Sequence, residues 1–206
     1  MVVHFNQLAR ELANDNTQYL EDYMVRQGFA KPHIQKDPAP GTLPCQKIRY
    51  AYQYWTSVRE NLGDIPSRAG IRPSGLGIAL GNICLLEPLD DGRDYRYRLF
   101  GSNIAHFSKY DLQGMTMSEA LRKYPKKKSG DDEFHLAIYQ CCQVEARPYY
   151  AEYVSQNGKP WLWRRLTLPL SDGHGNIVML MNCLSPEDIS QAPVTEEKNN
   201  QQQSIA

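Results

Sequence analysis

Residues 149–184 read YYAEYVSQNGKPWLWRRLTLPLSDGHGNIVMLMNCL, and this stretch decides the fold. It holds three segments rich in aromatic, β-branched and aliphatic residues: Tyr149 to Ser155, Pro160 to Leu170 and Ile177 to Leu184. Such residues suit a pleated, half-buried surface. The first two are joined by Gln156-Asn157-Gly158-Lys159, and Asn-Gly tolerates positive φ at both positions of a tight turn. The second link, Ser171 to Asn176, is a Gly-rich loop. Connections this short leave only antiparallel pairing between neighbours, so the stretch predicts a three-strand meander.

Immediately upstream, the run KKKSGDDE (126–133) opens a predicted helix. Ser129 or Asp131 can cap it, acids fill its first turn, and Phe134, Ile138, Cys141 or Cys142, and Glu145 mark successive turns before Pro148 ends it. Further upstream, Ile83 to Glu87 reads as a strand. Tyr95 to Phe100 alternates with Arg96 and Arg98 at the period of a second strand, and Asp90-Asp91-Gly92-Arg93 turns between them. Ser102 to Leu121 carries short apolar groups broken around Asp111 and Gly114, which predicts two or three helical pieces. The order of two strands, a helical crossing and three strands predicts an α+β fold: one five-stranded antiparallel sheet with helices on one face.

The N-terminal part reads differently. Residues 5 to 27 carry an interrupted helical stripe (Phe5, Leu8, Leu12, Tyr19, Leu20, Tyr23, Met24), giving two short helices or one with a weak middle around Asn14-Asp15-Asn16. Pro32, Pro38, Pro40, Gly41 and Pro44 then predict an extended linker. From about Gln46 to Leu62, the positions Ile48, Tyr52, Trp55, Val58 and Leu62 fall on one face of a helix that Gly63 stops. The divisions expected are a helical arm and linker over 1–45, a domain over 46–184 and a disordered tail over 185–206, which lacks apolar periodicity.

Composition limits the function. Among 206 residues, Lys plus Arg equals Asp plus Glu at 23 each, so no global field favours nucleic acid or an anionic membrane. The acidic stretch beside Lys126-Lys127-Lys128 makes that run a solvated loop. The most apolar runs are strand-length, far short of the roughly 18–20 residues a span needs, and the N-terminus lacks the apolar core of a signal peptide. A cytoplasmic protein is expected. Five cysteines without a Cys-x-x-Cys pair argue against a disulfide framework or structural zinc, and Cys84 and Cys183 read as small buried hydrophobes.

The motifs Tyr54-Trp55, Arg59, Pro66-Ser67-Arg68, Pro73, Tyr95 to Ser102 (YRYRLFGS), Asp111-Leu112 with Gly114, Arg147-Pro148 and Leu168 to Gly173 (LPLSDG) resemble the PAS-domain family of small alphaproteobacterial proteins known as the PAS_5 group. The resemblance spans roughly residues 47 to 184. It implies a sensory or interaction domain in which helices pack over a small interior pocket of a five-stranded sheet. The motif residues it marks are Tyr54, Trp55, Arg59, Pro66, Arg68, Arg98, Gly101, Gly114 and Pro169. Two departures stand out: Gly70 replaces an acidic residue, and Leu76 to Gly81 (LGIALG) makes the approach to the first strand glycine-rich.

The histidines at 4, 33, 106, 135 and 174 show no metal-ligand spacing, so His106 and His135, expected over the sheet, read as hydrogen-bonded structure. No haem, flavin or metal signature is present, and the cofactor is unknown. Cys141 or Cys142 lacks the surroundings of a flavin-reactive thiol. There is no nucleophile elbow, phosphate loop or His-Glu-x-x-His, and Gly173-His174-Gly175 reads as a turn between strands; no enzyme is expected. Candidates to line a ligand pocket are Tyr97, Leu99, Phe107, Ile138, Cys142, Leu166 and Met179. Arg96, Arg98, Arg164 and Arg165, interleaved with aromatics, form a candidate anion site; the structural alternative is a solvated sheet face paired with Glu87 or Glu152.

The expected function is a non-enzymatic sensory or regulatory module that binds a small apolar or amphipathic ligand or a signalling-protein partner and signals by contact. The alternative is a dimerisation or docking adaptor, as a homodimer, using the apolar surface of helix 46–62 and the detached arm 5–27. An enzyme on the same scaffold ranks last.

Overall fold

The computed structural model describes residues 5–125, 131–155 and 160–190. In chain order its strands are β1 (Ala30–Lys36), β2 (Ile83–Leu89), β3 (Asp94–Leu99), β4 (Tyr149–Ser155), β5 (Trp161–Ser171) and β6 (Ile177–Asp188). The helices are α1 (Gln7–Ala13), α2 (Thr17–Arg26), α3 (Gln46–Leu62), α4 (Pro73–Leu76), α5 (Ser102–Ser108), α6 (Met117–Lys123) and α7 (Asp131–Glu145). The Asn157-Gly158 turn, the Ser129 cap, the Lys126–Lys128 run and the tail from 191 onward lie outside the described residues.

The meander forms as expected, and the sheet order is β1-β4-β5-β6-β2-β3, antiparallel throughout. The architecture is α+β and PAS-like, with six strands in place of five. The added strand comes from the segment read as a linker. Pro32 hid it: a proline donates no ladder hydrogen bond and is tolerated at an edge or a bulge. β1 is an edge strand, its register on β4 shifts between Ala30 and His33, and Lys31 takes φ +50° inside that shift. Ile34 is buried, and its backbone N–H donates to Glu21 Oε1 at 2.9 Å. In the middle of the sheet, β6 runs through Asp188, so residues 185–188, expected as tail, pair with β5 from Arg164 back to Trp161.

The helical cover is not confined to one face. Alternate residues of the same strands point to two cores. Leu86, Tyr149, Ala151, Tyr153 and Leu180 pack with Phe134, Ala137, Ile138, Cys141 and Cys142 of α7. Leu85, Tyr150, Leu166, Leu168, Leu170, Met181 and Cys183 pack with Ile48, Ala51, Tyr52 and Trp55 of α3. A period-2 strand with apolar residues on both sides must be covered twice.

The arm is not detached. The structure resolves its break into two helices: Asn6 Oδ1 caps α1 by accepting from Ala9 N–H (2.7 Å), Asn16 Oδ1 caps α2 by accepting from Tyr19 N–H (3.3 Å), and Asp15 between them sits at φ +61°. Leu8, Leu12, Leu20 and Met24 are buried in the α7 core, and each such side chain contributes about 1.5–3 kcal/mol when fully covered. The apolar stripe that suggested a partner surface is consumed within the molecule. On α3, Ile48, Tyr52 and Trp55 are covered in the same way, Trp55 being 1% exposed and donating its indole N–H to the Pro169 carbonyl at 3.0 Å, while Leu62 at the end of the stripe is exposed.

Candidate functional site

On β5, Leu166, Leu168 and Leu170 turn toward α3, which leaves Arg165 and Thr167 on the α7 face. Strand register then sets their neighbours: Arg165 lies between Ala151 of β4 and Leu184 of β6, and Thr167 between Tyr149 and Asn182. Asn182 in turn pairs with Cys84 of β2. Arg165, Asn182, Leu184 and Cys84 thus form one floor. Above it lie α5, α6 and α7, and between floor and roof is a cavity of about 260 Å³. Its roof includes Ile104, Met117 and Ala120, together with Asp131, Asp132, His135 and Tyr139 of α7; Phe29, Tyr97, Tyr153 and Trp163 close its sides.

The cavity is mostly aromatic and aliphatic, with a charged group set into it. The Arg165 guanidinium hydrogen-bonds the Tyr139 hydroxyl and lies 5.7 Å from the centroid of that ring. Burial opposes its charge, but Tyr139, Tyr153 and Tyr97 outweigh that, and its pKa is raised. Arginine stays charged in any case. No carboxylate among the described residues forms an ion pair with it. Tyr153 Oη and His135 Nε2 are 3.2 Å apart, the donor being set by the imidazole tautomer. Burial holds the phenols of Tyr97 and Tyr153 well above their usual range and pushes the Cys84 thiol up to about 11, so all three are neutral hydrogen-bonding groups near pH 7. Asn182 is 1% exposed and its Oδ1 has no hydrogen-bond partner among the described residues; outside the cavity lining, the same is true of Thr167 Oγ1 at 0% exposure.

Of the expected pocket residues, Tyr97 lines the cavity. Leu99, Leu166 and Met179 face α3 instead, Leu99 because the β2–β3 register shifts between Leu85 and Leu86. Ile138 and Cys142 are packed solid in the α7 core, and burial keeps Cys142 a thiol. Phe107 sits outside the lining and packs edge-on against Trp161 (4.4 Å) and Trp163 (5.2 Å). The four arginines are not brought together. Arg164 faces the other way and pairs with Glu152 and Glu187; Arg98 is 3.9 Å from Glu87; Arg96 bridges to Thr116 in the backbone. Only Arg165 reaches the cavity. His106 is exposed on α5, whereas His135 is buried at the cavity.

Asn182 and Cys84 went unrecognised as lining residues. The one signal for them is parity: once Leu166 and Leu168 are assigned to one face, cross-strand register puts Thr167, Asn182 and Cys84 on the other.

The family-motif residues serve mainly to join α3 and its connections to the sheet. The Arg59 guanidinium lies 5.5 Å from the centroid of the Trp55 ring, Tyr54 Oη accepts from Arg72 N–H (2.9 Å), and the Pro66 carbonyl accepts from Ser171 N–H (2.9 Å). Arg68 donates to the Ile71 carbonyl at 3.3 Å. Gly101 links β3 to α5, where a Cβ would lie 2.5 Å from the Gly81 carbonyl oxygen. Gly114 turns at φ +87° and donates its N–H to the Tyr97 carbonyl (2.7 Å). At the two departures, Gly70 N–H donates to Ser67 Oγ (3.2 Å) in a 3-10 turn, and residues Gly77–Asn82 form a 3-10 segment.

A family model described as PAS domain matches residues 45–180. No curated protein matches the chain. A solved structure described as an RNA-binding light-oxygen-voltage receptor is similar at 12% identity with a TM-score of 0.42; the likeness covers 79% of this chain and 39% of that one. The motif residues, the strand order around the cavity and a family match over more than half of the sequence agree, and the chain belongs to the PAS-domain family.

Proposed function

We propose that this PAS module senses a small apolar or amphipathic molecule held in the cavity between the inner sheet face and α5–α7, and passes the result on by contact with a protein partner. The observation that carries the reading is the cavity itself: about 260 Å³ with aromatic and aliphatic walls and a few inward polar groups, which is how small-molecule sites are built. An engineered cavity of about 150 Å³ accepts benzene, so this one holds a larger ligand. No catalytic step is assigned, because burial keeps Cys84 and Cys141 as thiols, with pKa values near 11 and 12, and a thiol is a poor nucleophile. An adaptor without a ligand draws less support, since the arm and α3 spend most of their apolar faces internally.

The test is a thermal-shift screen of small organic molecules, with native mass spectrometry of the hits, on the wild-type chain and on Ala120→Trp, which fills the cavity. A ligand at about 100 times its Kd stabilises by about 2.7 kcal/mol, roughly 5–10 °C for a chain of this size. Hits that stabilise the wild type and not Ala120→Trp support the reading. A screen without hits, or with hits indifferent to Ala120→Trp, contradicts it.

A further inference from the structure

The polar groups of the cavity narrow the class of ligand. Two of them share one patch of the floor. Arg165 is a permanent cation with no carboxylate partner among the described residues, and protein surrounds it closely enough that desolvation is the largest influence on it. Asn182 Oδ1 is buried without a hydrogen bond among the described residues. Arg165 and Asn182 are diagonal neighbours across β5 and β6, positions about 7–8 Å apart at most. Folded proteins rarely leave a buried polar atom unsatisfied, and one beside a cation that has no carboxylate partner among the described residues calls for an occupant.

We propose that the ligand is a small aromatic carboxylate, its carboxylate held by Arg165 with the Asn182 amide beside it, and its ring between Tyr97, Tyr153 and Phe29. The proposal rests on the cavity being a ligand site. A single guanidinium matches a single negative charge, and its planar fork fits a carboxylate. A phosphate dianion would leave charge uncompensated, in a cavity that also holds Asp131 and Asp132. Those two carboxylates sit at the start of α7 and are not among the groups that act most on Arg165. The Asn182 amide can turn either its N–H or its oxygen to the ligand. The volume fits on the order of a dozen non-hydrogen atoms, about twice what a benzene-binding cavity holds.

The experiment titrates 3-phenylpropionate, its primary amide and benzene into the full chain, read by calorimetry and by methyl NMR of Ile104, Met117 and Leu184. The expected result is that the acid binds at least roughly tenfold more tightly than the amide, the span of a charge-assisted hydrogen bond. That preference disappears in Arg165→Met and is partly kept in Arg165→Lys. Because Arg165→Met removes a partly buried charge, its thermal unfolding is recorded too. Should it fail to fold, Arg165→Lys and Asn182→Leu carry the comparison, with a reduced acid preference expected in each. Equal binding of acid and amide, or an acid preference that survives both Arg165→Met and Arg165→Lys, overturns the assignment while leaving the cavity as a ligand site. Benzene entering without the acid does the same. If none of the three shifts the cavity methyls, the ligand reading falls along with this one.

Discussion

On β5, Leu166, Leu168 and Leu170 meet α3, while Arg165 and Thr167, one residue out of step, meet α7 and the space beneath it. The α3 side is closed: Trp55 is 1% exposed with its indole N–H bonded, and Leu166, Leu168, Leu170, Met181 and Cys183 are fully covered. The α7 side combines a packed half, around Phe134 and Ile138, with an open half that holds a cation, an unsatisfied polar atom and about 260 Å³ of space. The difference teaches how one sheet divides its labour. The packed cores on both faces supply the stability, and that lets the open half of the inner face keep features that cost stability, as functional sites commonly do.

The largest expected effect sharpens this contrast. Trp55→Ala should cost about 3–5 kcal/mol in urea unfolding, the range for deleting a buried aromatic; a loss below about 1.5 kcal/mol would mean the back face is not tightly packed. The next effect tests whether the cavity is dry. An unfolded Cys84 thiol ionises from its ordinary 9.0 and the folded one from about 11. The unfolded state therefore sheds its proton first, and the stabilisation, fully present below pH 9, is lost as pH rises from 9 to 11. On the order of 2–3 kcal/mol is involved. Comparing urea midpoints from pH 7 to 11 for the wild type and Cys84→Ala measures it, and identical pH profiles would show the thiol to be solvated.

Gly101→Ala drives a Cβ to within 2.5 Å of the Gly81 carbonyl and 2.8 Å of the Ile83 carbonyl, both backbone, and should cost about 1–3 kcal/mol. Gly114→Ala meets open space and carries only the strain of φ +87°. If Gly101→Ala proves neutral, the link between the back face and α5 is looser than described. The smallest effect has the opposite sign. Thr167→Val keeps the shape and removes a buried hydroxyl without a partner, and should raise stability by about 1 kcal/mol. A clear loss would show that Thr167 Oγ1 is bonded, and would erase part of the contrast.

Much of the back face was legible in the sequence. The Ile48, Tyr52, Trp55 spacing, the meander of 149–184 and Gly63, which takes φ +69°, give α3 and its sheet directly. β1 was illegible because Pro32 mimics a linker unless the bulge at Lys31 is known. The open half of the inner face was readable only in fragments. Tyr97 and Arg165 stand out by type, but the pairing of Cys84 with Asn182 depends on cross-strand register, which no local pattern carries. Arg164 and Arg165 look alike in sequence, yet one-residue parity sends the first to Glu152 and Glu187 and the second into the cavity.

The central claim, that the inner face holds a ligand space and the back face does not, is tested most directly by methyl NMR of the full chain saturated with benzene. The expected result is that Ile104, Met117, Ala120 and Leu184 shift, while Ile48, Leu166, Leu168 and Met181 stay where they are. Shifts on the α3 side, or none at either face, would contradict the account.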